Sequence, residues 1–300
     1  VKAIHGIQRW FVEETRLGIP VDFTNEGIRG VCHEKATFFP AQCGQGSTWN
    51  KELIARIGEV EAKEATALGY TNIYSPILDI AQDPRWGRAV ECYGEDPYLV
   101  GQLGKQMIQS LQKHKLVATP KHFAVYSIPV GGRDGGTRTD PHVAPREMRT
   151  LYLEPFRVAF QEAGALGVMS SYNDYDGEPI TGSYRFLTQI LRQEWGFNGF
   201  IVSDCGAVGN LTSRKHYTAK DKIEAANQAL AAGIATNCGD TYNNKEVIQA
   251  AKDGRINMED LDNVCRTMLS TMFRNELFEK NPCKPLDWNK IYPGWSSDSH

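Results

Sequence analysis

Apolar runs of strand length alternate with longer amphipathic segments through most of this 300-residue chain, and that alternation restricts it to a parallel sheet with crossover helices. Residues 19–23, 72–77, 116–119, 166–171, 199–203 and, more weakly, 234–236 read as strands. Helices are expected near 1–17, 50–68, 97–114, 145–163, 184–194, 219–231, 244–254 and 258–276. In the second of these, Leu53, Ile54, Ile57, Val60, Ala67 and Leu68 share one side, and Glu64 interrupts their stripe. The pattern alone leaves a TIM-type barrel and a doubly wound sheet equally open. Two tracts break the alternation: residues 128–138, rich in Gly, Arg and Asp, read as a loop at an active face, and residues 281–300 read as a linker.

Composition narrows the function classes. A formal net charge of −3 supplies no broad positive field, so neither nucleic acid nor an anionic membrane surface is an expected partner. No run approaches the roughly 20 apolar residues of a membrane-spanning helix. The seven cysteines form no CxxC pair, which argues against structural zinc and against a disulfide-dense scaffold, while leaving room for one disulfide.

In parallel α/β folds the chemistry collects beyond the carboxyl ends of the strands, where loops converge on a rigid base. The first five strands each run into polar residues there. The first leads to Glu26, the second to Asp79 and then Arg88, the third to Lys121 and His122, the fourth to Tyr172 and Asn173, and the fifth to Asp204. Carboxylates that accept from ring hydroxyls, cations that donate to them, and Trp86 as an apolar ring face make carbohydrate chemistry the leading reading. Each residue also has a plainer reading. Asp204 can cap a helix after its strand, Arg88 can pair with Glu91 or Asp96, His122 can be a satisfied interior histidine, and Met169 reads as core.

The motifs Arg16-Leu-Gly-Ile-Pro20, Asp83-Pro-Arg-Trp-Gly-Arg88 with Glu95-Asp96-Pro97, Lys121-His-Phe123, Met169-Ser-Ser-Tyr-Asn173 and Gly196-Phe-Asn-Gly-Phe-Ile-Val-Ser-Asp204 stand in order along the chain. In that order the chain resembles the N-terminal domain of glycoside hydrolase family 3, which contains β-glucosidases and β-xylosidases. The resemblance implies an α/β fold of TIM-type (β/α) barrel kind, modified or incomplete. The barrel would span 1–278 without the family's first segment, and 279–300 would lead towards a C-terminal α/β sandwich domain.

It further implies a retaining, exo-acting β-glycosidase with Asp204 as nucleophile. Arg88, Lys121 and His122 would bind sugar hydroxyls, Tyr172 would lie against the nucleophile, Met169 would border the sugar, and Glu26 would hold its far side. The general acid/base would come from the following domain, and the family suggests a secreted or periplasmic location. Double displacement needs neither a metal nor an organic cofactor. The rival readings are a non-catalytic carbohydrate-binding barrel, a lyase using Lys121 as a Schiff base, and an N-acetylglucosaminidase using Asp140 and His142.

Overall fold

The computed structural model describes residues 2–127, 139–213 and 216–279. The loop expected at 128–138 and the linker expected at 281–300 lie outside the described residues. Six parallel strands form the centre: β1 (Thr24–Asn25), β2 (Asn72–Ile73), β3 (Val117–Ala118), β4 (Gly167–Ser170), β7 (Phe200–Ser203) and β8 (Ile234–Asn237), with an antiparallel hairpin of β5 (Asp174–Tyr175) and β6 (Glu178–Pro179) inserted after β4. Ladders join β1–β2–β3 and β4–β7–β8. Single bridges from Ile77 to Lys121 and from Phe123 to Ser170 continue the neighbour relations beyond the short strands. No ladder joins β8 to β1 among the described residues. The architecture is a TIM-type α/β barrel in modified form, as expected.

Strand side chains alternate between two apolar layers, as a two-residue period requires. Ile73, Ala118, Val168, Ile201 and Ile234 join the large core shared with the helices, including Ile54, Leu103, Phe156 and Leu187. Val117, Met169, Phe200 and Val202 form a second cluster inside the sheet's curve. Between β7 and β8 the register slips: Ile201 faces Ile234, yet Val202 faces Thr236 and Ser203 faces Asn237. That irregularity bends the sheet beside the strand that carries Asp204.

The helix Lys51–Leu68 starts where Asn50 accepts the Leu53 amide at 2.9 Å and ends at Gly69, whose φ of 95° is left-handed. Glu64 interrupts the apolar stripe for a reason found elsewhere in the chain. Its carboxylate takes the Thr37 amide at 2.9 Å and the Thr37 hydroxyl at 2.7 Å, fastening the loop after β1.

Three expectations need correction. Residues 19–23 are not the first strand, which is Thr24–Asn25, because the Gln8 amide side chain holds both polar groups of the Val21 backbone. The helices at 145–163 and 184–194 are not uniform α-helices. Wider turns run through them, as in the bonds from the Leu153 amide to the Met148 carbonyl and from the Trp195 amide to the Ile190 carbonyl. The hairpin Asp174–Pro179 was not anticipated; its turn residues Asp176 and Gly177 both have positive φ.

Candidate active site

Asp204 follows β7 directly, so a four-residue strand, buried throughout, supplies its rigid base. The carboxylate is not a helix cap. The short helix that follows, Ala207–Asn210, has Gly206 at its N-cap and no side-chain cap. Instead Oδ1 accepts the Cys205 amide at 2.7 Å, and Oδ2, though buried, accepts no hydrogen bond among the described residues. Oδ2 lies 3.7 Å from His122 Nε2 and 3.9 Å from the nearest Arg88 nitrogen, beyond hydrogen-bonding reach but within strong electrostatic range. A buried carboxylate oxygen with cations beside it and no donor on it is an uncommon, energetically demanding arrangement.

The surrounding groups are held by partners of their own. Arg88 grips Glu91 through two nitrogens at 3.0 and 2.8 Å and lies 5.7 Å from the Tyr126 ring centre, so its plane is fixed. Asp96, the other proposed partner, instead caps the helix Pro97–Lys113 by accepting the Leu99 amide at 2.7 Å. Lys121, only 2% exposed, forms an ion pair with Glu26 from the end of β1. This pairing commits the Lys121 nitrogen to a carboxylate partner. Peptide bonds on either side of the His122-Phe123 pair, Lys121–His122 and Phe123–Ala124, are cis.

His122 is oriented by Asp79, whose Oδ2 lies 2.7 Å from Nδ1 and 3.1 Å from the His122 amide. Burial raises the Asp79 carboxyl to about 7, against the opposing pull of Arg88 and the His122 amide. Its charged form, the acceptor for a proton on Nδ1, is therefore complete only above neutral pH. Asp79→Asn is expected to lower kcat/KM by about 10- to 100-fold, the worth of one hydrogen bond to a charged group. It should also erase an ionisation near pH 7 from the pH profile of kcat/KM, while an unchanged profile would remove Asp79 from this role.

Asp204 itself is raised above the usual carboxylate range by burial, an effect opposed by Lys121 first, then by Arg88, the Cys205 amide and Tyr172. The Tyr172 hydroxyl stands beside Asp204, but a single proton cannot serve two acceptors. The geometry gives it to the Cys205 carbonyl at 2.7 Å.

Aromatic rings wall the cluster. Tyr126 meets Trp86, His122 and Tyr172 edge-on at centroid separations of 5.4, 5.5 and 6.0 Å. Trp86 is buried behind Tyr126, so it offers no ring face to a ligand, contrary to the expectation from sequence. Met169 packs with Val117, Phe200 and Val202 in the inner apolar layer. A cavity of about 600 Å³ opens beside Glu26, lined by Ile28, Arg29, Val31, His33 and Phe38; Arg88, Lys121, His122 and Asp204 do not line it.

Sequence reading named Asp79 at a strand end without assigning it a partner, weighed Glu91 as a partner of Arg88, which the structure bears out, and missed Tyr126. The polar residue closing strand two was a usable signal for Asp79, whereas nothing local marks Tyr126. The one disulfide that the sequence left room for joins Cys205 to Cys238. The Asp140/His142 pair does not assemble a dyad. Asp140 takes the Gly177 amide at 2.6 Å and the Asp176 amide at 3.2 Å, closing the hairpin turn, while His142 is exposed, its Nδ1 3.8 Å from Asp140. His142→Ala is expected to leave kcat/KM within about twofold, as surface substitutions do; a loss of a hundredfold or more would restore the dyad.

Among the described residues no group of three or more His, Cys, Asp or Glu side chains is arranged to hold a metal ion, and no helix is long and apolar enough to cross a membrane.

Fold and site together define an α/β barrel protein with paired carboxylates and cations gathered at the carboxyl ends of its strands. The sequence matches the glycosyl hydrolase family 3 N terminal domain over residues 1–271, and the chain belongs to that family. It is 34% identical over 270 residues to a periplasmic beta-glucosidase of Salmonella typhimurium, covering 88% of this chain and 34% of that protein. A beta-xylosidase of Formosa agariphila is 35% identical over 306 residues, covering 95% of this chain and 41% of that one. The crystal structure of a beta-glucosidase from Listeria innocua in complex with glucose superposes with a TM-score of 0.85 at 33% identity, over 98% of this chain and 40% of that chain. The chain thus spans about two fifths or less of the length of these relatives.

Proposed function

We propose that this barrel is the nucleophile-bearing part of a retaining, exo-acting β-glycosidase that removes terminal β-linked glucose or xylose from oligosaccharides or glycosides. The observation that carries the proposal is Asp204 Oδ2, buried at the end of β7, free of hydrogen bonds among the described residues and flanked by Arg88 and His122. Family membership and relatives named beta-glucosidase and beta-xylosidase support the same reading.

In this mechanism Oδ2 attacks the anomeric carbon while Oδ1 stays bound to the Cys205 amide, so the carboxylate turns little during reaction. An acid from outside this barrel protonates the leaving oxygen, and water then releases the sugar with net retention. Arg88 and His122 donate to hydroxyls of the bound sugar, Lys121 donates from its Glu26 pair, and Glu26 accepts on the far side. Tyr172 stands against the nucleophile, and Met169 borders the sugar. Glucose and xylose differ by one hydroxymethyl group, whose place near Glu26 would decide between them.

We assign residues 1–278 to the barrel and 279–300 to a linker leading to a C-terminal α/β sandwich domain that supplies the acid. A secreted or periplasmic location is supported by the Cys205–Cys238 disulfide, since such bonds persist in oxidising compartments, and by the periplasmic relative.

The test is mass spectrometry after incubation with 2-deoxy-2-fluoro glucosides and xylosides carrying good leaving groups. The expected result is one covalent sugar on the peptide containing Asp204. Folded protein that remains unlabelled by both probes would instead mark a sugar-binding barrel without turnover.

A further inference from the structure

The residue after the candidate nucleophile connects it to two neighbours at once. Its amide donates to Asp204 Oδ1 at 2.7 Å, its carbonyl accepts the Tyr172 hydroxyl at 2.7 Å, and its sulfur is bonded to Cys238. Cys238 directly follows β8, where the chain is well anchored. Asn237 donates to the Ser203 hydroxyl at 3.3 Å across the sheet and accepts the Thr241 and Tyr242 amides at 3.0 and 3.3 Å. The Cys238 carbonyl also takes the Gly206 amide. On the other side of Cys205 the chain turns through Gly206, at φ 77°, into a four-residue helix without a side-chain cap, whose Ala207 and Val208 are buried.

We propose that the Cys205–Cys238 disulfide is a positioning element for the nucleophile, pinning the Cys205 amide against Asp204 Oδ1 so that Oδ2 stays aimed at the anomeric carbon. The glycosylation step therefore depends on oxidation of this pair. The inference rests on Asp204 being the nucleophile. A disulfide serving only the fold would act differently. By closing a long loop it would raise resistance to unfolding and leave the reaction rate of folded protein unchanged.

Position matters because reacting atoms must meet within a few tenths of an ångström, and a misplacement of about 1 Å costs on the order of a hundredfold. A second consequence concerns ionisation. The Cys205 amide helps hold down the Asp204 carboxyl, which burial raises and which Lys121 and Arg88 lower more strongly. If that donor drifts, the carboxyl rises further, and the acid limb of the reaction moves to higher pH. The groups facing Asp204 from neighbouring elements are Arg88, Lys121 and His122 with Asp79, which are held by partners other than Cys205, and Tyr172, whose hydroxyl donates to the Cys205 carbonyl.

The redox step is simple thiol exchange. A dithiol such as dithiothreitol delivers two electrons and two protons, splits the sulfur–sulfur bond into two thiols, and itself closes to a cyclic disulfide. The other described cysteines, Cys32, Cys43, Cys92 and Cys265, are free, so among the described residues this pair is the reducible bond.

The experiment measures trapping of Asp204 by a 2-deoxy-2-fluoro glycoside in the full natural polypeptide, as a function of probe concentration and pH. Oxidised protein, dithiol-reduced protein and the C205S/C238S double variant are compared, with circular dichroism monitoring the fold. The expected result is a maximal trapping rate at least about tenfold lower in the reduced protein and in the double variant, with probe affinity within about threefold. The acid limb should move to higher pH, and the double variant should no longer respond to dithiol. Reduced, folded protein that traps at the oxidised rate with an unshifted acid limb overturns the proposal. Should the double variant fail to fold, the reduced wild-type protein decides the matter. Oxidised protein that takes its label on another carboxylate overturns the assignment of Asp204, and the positioning role with it.

Discussion

Asp204→Ala is expected to lower hydrolysis of an activated β-glycoside on the order of 10⁴-fold and to abolish covalent trapping, because loss of a nucleophile removes the intermediate itself and not one contact to it. The fold should survive. Asp204 caps no helix, and its one strong hydrogen bond is to the adjacent amide. Removing a carboxylate that is buried at an energetic penalty should, if anything, leave stability unchanged or raised. Small anions can then occupy the space left by the side chain. With azide present, the variant is expected to regain activity on a substrate with a good leaving group and to form the α-glycosyl azide, since the anion attacks from the face Asp204 occupied. Detection of that anomer by NMR checks the prediction; a β-azide, or residual activity within tenfold of wild type, would mean that another group attacks.

Lys121→Met should have the second-largest effect, lowering kcat/KM by about a hundredfold. Two losses combine. The substrate forfeits a charged donor, worth roughly 1.5–3 kcal/mol, and Glu26 loses its partner at the far side of the site. The sign of the pH effect follows from Asp204. Its carboxyl already titrates above the usual range because of burial, and Lys121 is the strongest influence opposing that rise. Removing the ammonium lifts it further, so the ionised nucleophile is lost at higher pH on acidification. The acid limb of the kcat/KM profile should therefore move upward in Lys121→Met, and further than in Glu26→Gln, which leaves the ammonium in place. An acid limb at the wild-type position would show that Lys121 does not act on Asp204.

Much of this site could be read along the chain because its parts are local. Each strand is a short apolar run, and the polar residue that ends it is the next letter or two. Asp204, Lys121, His122 and Asp79 were therefore visible as strand-end residues, and their order with Arg88 and Tyr172 carried the family resemblance. The helix Lys51–Leu68 was legible from its periodicity, whereas its Asn50 cap became visible only in the structure. Residues 19–23 misled because an extended apolar segment looks the same whether a neighbouring strand or the Gln8 side chain satisfies its backbone. Trp86 misled because a ring near a barrel mouth can face either the ligand or the core, and Tyr126 decided which.

What the sequence determined by itself was the alternation that makes a parallel sheet with crossover helices, the positions where its strands end, and the residue types presented there. Only the tertiary structure decided which of those residues meet: Glu26 with Lys121, Asp79 with His122, Arg88 with Glu91, Cys205 with Cys238. It also decided that Asp140 closes a hairpin turn and that Glu64 fastens a loop in place of continuing an apolar stripe. The physical reason is range. Strand and helix formation depend on periodicities of two and 3.6 residues that are present in any short window. Pairing depends on which strands become neighbours and in what register, and the slip between β7 and β8 that brings Asn237 opposite Ser203 exists only once the sheet has formed.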